Sequence, residues 1–292
     1  MYFQLLANGI IAGSTYALVA LGFAVIYRTA RFFHFAHGAV YAVAAYAGYS
    51  FATDFGLGKP VGLTFGAVIG ALLGVLLQVA VYAPIRRRGG TELTLLLASL
   101  GLYVILQNAI SLTWGDDVRT LRASEVVPGH QLWGAYFTNV QLIIATTSFA
   151  AMTTLWLVLW KTRFGKAMRA TPSNVELARI SGIRADRYLI YAFAIGSLLA
   201  GIAGGLISLD RGLSPTMGLN ALLPAVVAVV IGGAGSFVGA ALGGLCLGFA
   251  ETIGIWLFSS RWFDAVIYAV AIGFLLVRPH GLWGGEPPRA QA

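Results

Sequence analysis

Residues 161–187 read KTRFGKAMRATPSNVELARISGIRADR and lie between two long apolar runs that carry no charge. Seven basic residues (Lys161, Arg163, Lys166, Arg169, Arg179, Arg184 and Arg187) stand there against two acids, Glu176 and Asp186. Lys and Arg accumulate on loops that are not translocated, so a loop of this kind between membrane spans marks the cytoplasmic side. Inside it lies a short helix with its own punctuation. Ser173 reads as the N-cap, Glu176 three residues later as its capping-box partner, and Gly182 as the left-handed residue just past the end. A capped helix on a basic inner loop is a handle for a soluble partner. The pattern points to a membrane protein driven by something outside itself.

Composition agrees. Apolar residues make up 58% of the 292 and charged residues 10%, against about 45–50% and about 25% in soluble domains. The net charge of +8 does not indicate nucleic acid, because the basic residues cluster between apolar runs. The single cysteine, Cys246, excludes a disulfide framework or a Cys-based metal site within the chain. No nucleophile–base set and no metal-ligand spacing stands out, so no catalytic or metal-binding residue is assigned. Gly165-Lys166-Ala167 lacks both the hydroxyl residue and the upstream glycine of a phosphate loop. The N-terminal run MYFQLLANGIIAGSTYAL lacks a basic leader and reads as a retained first span.

A membrane-crossing helix needs about 20 mostly apolar residues. The runs that qualify are Gln4–Tyr27, Phe35–Thr53, Val61–Tyr82, Leu93–Trp114, Asn139–Trp160, Tyr188–Leu209, Pro215–Gly233, Phe237–Phe258 and Trp262–Val277. Phe35–Thr53 opens at a His-rich junction, and Pro224 interrupts Pro215–Gly233, which reads as kinked or re-entrant. The expected fold class is therefore all-α: a polytopic bundle of eight to nine spans forming one membrane domain over residues 1–292. With residues 161–187 inside and the N-terminus outside, only Lys59, Arg119, Arg122, Arg211 and Arg261 of the 19 Lys/Arg fall outside. That lopsided split supports the nine-span alternation.

Glycines spaced by four (Gly9/Gly13, Gly66/Gly70/Gly74, Gly235/Gly239/Gly243 and Gly244/Gly248) place flat stripes on helix faces, where another helix can approach closely. Gly232-Gly233-Ala234-Gly235 reads as a tight reversal. Glu251 is the one acid well inside a span. A charge at the bilayer centre costs at least about 2.5–3.5 kcal/mol, so Glu251 must pair, face water or take up a proton. His37, at the inner mouth of the second span, could relay a proton. Asn8, Ser14, Thr15, Tyr16, Gln78, Gln107 and Asn108 supply uncharged hydrogen-bonding groups for interhelical bonds or a solute path. The expected path or gate residues are Asn8, Ser14, Thr15, Tyr16, His37, Gln107, Asn108 and Glu251.

These motifs together resemble a known family. Asn8-Gly9, Gly13-Ser14-Thr15-Tyr16-Ala17-Leu18 with Ala20-Leu21-Gly22, and Phe35-Ala36-His37-Gly38 are similar to the opening of the LivH-type permeases of branched-chain amino acid ABC importers. The later run Val229-Val230-Ile231-Gly232-Gly233-Ala234-Gly235-Ser236 fits too, as do Gly239-Ala240, Gly243-Gly244, Glu251 and the ending Arg278-Pro279-His280-Gly281-Leu282-Trp283-Gly284. His34 and Trp283 depart from the residues more usual there, Asn and Phe. The resemblance implies a multi-pass subunit of the bacterial inner membrane that pairs with a second, LivM-type permease. It implies two ATPase partners that bind ATP and Mg, an extracytoplasmic solute-binding protein, and no cofactor in this chain. Ser173, Asn174, Val175, Glu176, Leu177, Ala178, Arg179, Ile180, Ser181 and Gly182 would form the coupling helix against the ATPases. Urea and short-amide importers share much of the pattern. A self-sufficient proton-coupled carrier resting on Glu251 and His37 is the reading from another class.

Overall fold

In the computed structural model the described residues are 2–121, 129–132, 134–171, 180, 184–258, 261, 263–278 and 281–282. They form an almost entirely helical bundle. Each of the nine apolar runs lies on a helix: α1 Tyr2–Ala30, α2 Ala36–Thr53, α3 Lys59–Leu77, α5 Glu92–Trp114, α6 Asn139–Lys161, α8 Ala185–Asp210, α9 Met217–Gly232, α10 Phe237–Phe258 and α11 Phe263–Val277. A π-turn, Gln78–Tyr82, and a short α4, Ala83–Arg87, extend α3, while α7, Arg163–Ala170, follows α6. A small antiparallel hairpin, β1 His130–Leu132 and β2 Ala135–Phe137, precedes α6.

Local chemistry sets the helix starts. Thr138 accepts a hydrogen bond from the Gln141 N–H at 3.2 Å, while the Gln141 side chain accepts one from the Thr138 N–H at 3.0 Å, a complete capping box for α6. Thr91 caps α5 and Thr162 caps α7 through their hydroxyls. Pro60 occupies the first turn of α3, where a missing N–H does no harm.

Six of these helices are long and apolar enough to cross a membrane. Helix α9 is shorter. At 16 residues it spans about 24 Å, less than the hydrocarbon thickness of about 30 Å. It continues through Pro224, so the segment expected to be kinked or re-entrant is helical on either side of the proline.

Helix α1 is the axis of the bundle. Of its most apolar stretch 83% is buried, against 22% for the corresponding stretch of α5. Around α1 pack α10, α8, α9 and α6, while α2 is held by α3, α8, α5 and α9. The outer faces of α3 and α5 expose Phe65, Leu72, Leu76, Leu97, Ile105 and Leu112. Apolar faces of that extent suit lipid or a second membrane subunit, not water.

The glycine stripes lie where backbones meet. A β-carbon on Gly66 would strike the Ala44 carbonyl of α2, and one on Gly74 the Ser197 side chain of α8. On the other side, Gly248 of α10 lies against Gly13 of α1, Gly244 against Ala17, and Gly22 of α1 against Gly196 of α8. One expected stripe loses a member. Gly235 lies before α10 with open space where a β-carbon would stand, because Gly233 (φ 98°) breaks the chain and Ser236 caps the helix through the Gly239 N–H at 3.0 Å.

Candidate functional site

The polar groups of the bundle gather in two places. The first is a cavity of about 520 Å³ at the end where α1 and α6 begin and α8 ends. Asn8, Thr15 and Tyr16 reach it from α1, seven and eight residues apart and so on one face. Glu251 and Thr252 come from α10, Gln141 from the first turn of α6, and Asp210 and Arg211 from the end of α8. Between them the wall is apolar: Leu5, Ile11, Ile144, Ile207, Ile255 and Trp256. A neighbouring space of about 360 Å³ shares Thr15, Tyr16, Ile207 and Arg211, and adds Tyr41, Ser214 and Asn220.

Arg211 is the cation of this site. It follows α8 directly, its N–H bonded to the Ile207 carbonyl at 2.9 Å, and Gly212 (φ 83°) then turns the chain away. The turn is clamped by a two-way backbone bridge in which Arg119 N–H donates to Leu213 O at 3.0 Å and Leu213 N–H to Arg119 O at 2.7 Å. The Arg119 guanidinium in turn donates to the Trp114 carbonyl at the end of α5. So held, Arg211 Nη2 lies 3.9 Å from Glu251 Oε1. Tyr16 faces both charges. Glu251 is only 4% exposed, and the nearby cation gives a buried carboxylate the counter-charge it requires.

The second place is sealed. His34, His37 and Tyr82 are all fully buried. The Tyr82 hydroxyl and His34 Nδ1 lie 3.1 Å apart, and the His37 ring sits edge-on to Phe23 and to His34, each 6.0 Å away. Gly22 leaves space for that ring, since a β-carbon there would come within 3.2 Å of it. His37 Nδ1 and Nε2, His34 Nε2, Gln78 Oε1 and Ser197 Oγ have no hydrogen-bond partner among the described residues. His37 was expected at a mouth. It lies in the interior instead, where the link from α1 to α2 packs Phe33 on Phe23 and the His37 ring sits against the same Phe23.

The structure therefore divides the expected path residues. Asn8, Thr15, Tyr16 and Glu251 share the cavity. Ser14 is buried and donates to the Ile11 carbonyl of its own helix at 2.8 Å. Gln107 and Asn108 lie on α5, outside the cavity, and Asn108 is exposed with its amide donating to Val104 O at 2.8 Å. They face away because the buried stripe of α5 runs through Leu95, Ser99, Tyr103 and Ile110. Arg211, Asp210 and Gln141 were missed as site residues. The available signal was Arg211 itself, a basic residue abutting an apolar run on the side where such residues are scarce. Of the expected coupling helix, Ser173–Arg179 and Ser181–Gly182 lie outside the described residues. Ile180 alone is described, helical and 79% exposed.

At the opposite end, Arg28 donates to the Gly235 carbonyl at 2.7 Å and stacks over Phe237, while Arg169 stacks over Trp160 at 4.5 Å. Arg86 reaches the Ala30 carbonyl at 3.3 Å. Arg28, Arg86 and Arg169 thus lie at one end and the cavity at the other.

The family described as "Branched-chain amino acid transport system / permease component" matches residues 5–275. The high-affinity branched-chain amino acid transport system permease protein LivH of Escherichia coli K12 is 35% identical, over 97% of this chain and 96% of its own. The corresponding protein BraD of Pseudomonas aeruginosa is 32% identical over the same shares. Among solved structures, PsaBC from Streptococcus pneumoniae in complex with Fab superposes with a TM-score of 0.52 at 15% identity, covering 94% of this chain and 90% of that one, a likeness of fold. With full-length relatives, a helical bundle and six helices of membrane-crossing character, the chain is a multi-pass membrane protein and belongs to the family of branched-chain amino acid transport permease components.

Proposed function

We propose that this chain is the membrane-spanning half of an ATP-driven importer in the bacterial inner membrane, carrying branched-chain amino acids. It would work beside a second permease, above two ATPases that bind ATP and Mg, and beneath an extracytoplasmic solute-binding protein. The observation that carries the reading is the placement of the 520 Å³ cavity, lined by both polar and aliphatic side chains, at the end opposite Arg28 and Arg86. Basic residues favour the cytoplasmic side, so the cavity faces the side from which solute arrives. Nine crossings with the N-terminus outside fit this arrangement if α2, α9 and α11 join the six longer helices as short members. The loop at 173–182 is then the contact through which ATPase closure moves the spans. The aliphatic wall favours an amino acid over urea or a short amide.

Reconstitution in vesicles with both ATPases, the second permease and the binding protein tests this. Leucine uptake should require ATP and every partner, and uptake by this chain alone would overturn the proposal. Glu176→Ala and Gly182→Val should separate ATP hydrolysis from uptake while the protein still inserts. Normal coupling in both would show that the loop is passive. The proton-driven alternative needs His37 and Glu251 on one route, and His37 is not among the residues lining the Glu251 cavity.

A further inference from the structure

The outer cavity holds two charges of opposite sign that face each other without a direct hydrogen bond between them. Arg211 Nη2 and Glu251 Oε1 are 3.9 Å apart, attracted but beyond hydrogen-bond length. The other carboxylate oxygen, Glu251 Oε2, is buried with no hydrogen-bond partner among the described residues. A buried carboxylate oxygen left in that state is expensive, and a donor entering the cavity would satisfy it. The Arg211 side chain is more than half exposed and carries five donors in a planar fork that matches a carboxylate. Ile11, Ile144 and Ile207 supply an aliphatic wall beside the pair. The cavity volume lies within the range of about 300–1,000 Å³ usual for small-molecule sites.

We infer that this cavity binds the zwitterion of an aliphatic α-amino acid, with Glu251 taking the ammonium, Arg211 the carboxylate and the isoleucine wall the side chain. An α-amino acid carries its two charges one carbon apart, so it can bridge a pair already this close. Tyr16, facing both charges, orients them. A neutral amide offers no cation to Glu251, and a simple anion leaves it unpaired. The site rests on the importer reading and deepens it: the permease itself reads the solute.

The test uses the chain assembled with its permease and ATPase partners in lipid nanodiscs, without the binding protein, and measures equilibrium binding of tritiated leucine. Binding should saturate and be displaced by isoleucine and valine. Leucinamide, which lacks the carboxylate, and 4-methylpentanoate, which lacks the ammonium, should compete on the order of tenfold more weakly, or worse. Glu251→Gln and Arg211→Gln should each weaken binding by at least about tenfold, with Arg211→Lys recovering part of the loss. Ile207→Phe should shift the preference from leucine toward alanine, which charges with a purely structural role would not produce. If the charge variants fail to assemble, the analogue competition on the unaltered assembly decides. An assembly that imports leucine once the binding protein is added, yet shows no saturable binding, overturns this inference and leaves the importer reading standing. Equal competition by both analogues, or unchanged binding in both charge variants, overturns it as well. Absence of amino acid uptake under every condition overturns both.

Discussion

Tyr82 shows how much one hydroxyl can hold in this chain. It is fully buried, and its oxygen is the hydrogen-bond partner of His34 Nδ1 at 3.1 Å, while His34 Nε2 has none among the described residues. Tyr82→Phe removes that partner and leaves both ring nitrogens of His34 without one. The expected loss is about 1–3 kcal/mol, read as a lower melting temperature of the purified protein. An unchanged melting temperature would mean that the hydroxyl contributes nothing there. Glu251 was legible in the sequence because it is an isolated acid in an apolar run. Its counter-charge was not, because Arg211 belongs to a different element and only the turn at Gly212 and the Arg119–Leu213 bridge bring the two together. Residue type announces a need for a partner; tertiary packing supplies it.

At the scale of elements, the positions of the apolar helices were legible from apolar length, six of them long enough to cross a membrane, and the α6 start follows from Thr138 and Gln141. Thr138→Ala should destabilise by about 0.5–2 kcal/mol, appearing as faster hydrogen exchange confined to the first turn of α6. Protection equal to that of the parent would remove the cap from the account. The Gly66/Gly70/Gly74 stripe was legible by spacing, and its partners, α2 and α8, emerge only from packing. Gly66→Leu should destabilise by about 1–3 kcal/mol or more, since the obstacle is the Ala44 backbone. Gly101→Leu, with open space around it, is the matched control and should be near neutral. Equal melting temperatures for the two variants would reject the close-packed seam. The π-turn at Gln78–Tyr82 left no periodicity to read, because one extra residue in a helical turn does not alter an apolar run.

For the molecule as a whole, orientation is the decisive property. In a Cys246→Ser background, a cysteine at Tyr136 should react with an impermeant maleimide in intact cells. One at Lys166 should react only after the membrane is opened. The reverse pattern would invert the orientation and place the cavity on the wrong side for import. The bundle also limits how such a protein can move. Where α1 crosses α10 and α8, bare main chain rests on bare main chain, Gly13 on Gly248 and Gly22 on Gly196. Main chain lies against main chain at those crossings, and interiors without slack do not deform gradually. The three helices then tend to travel as one rigid strut, with any pivot outside them, where α6 packs against α1 and α8.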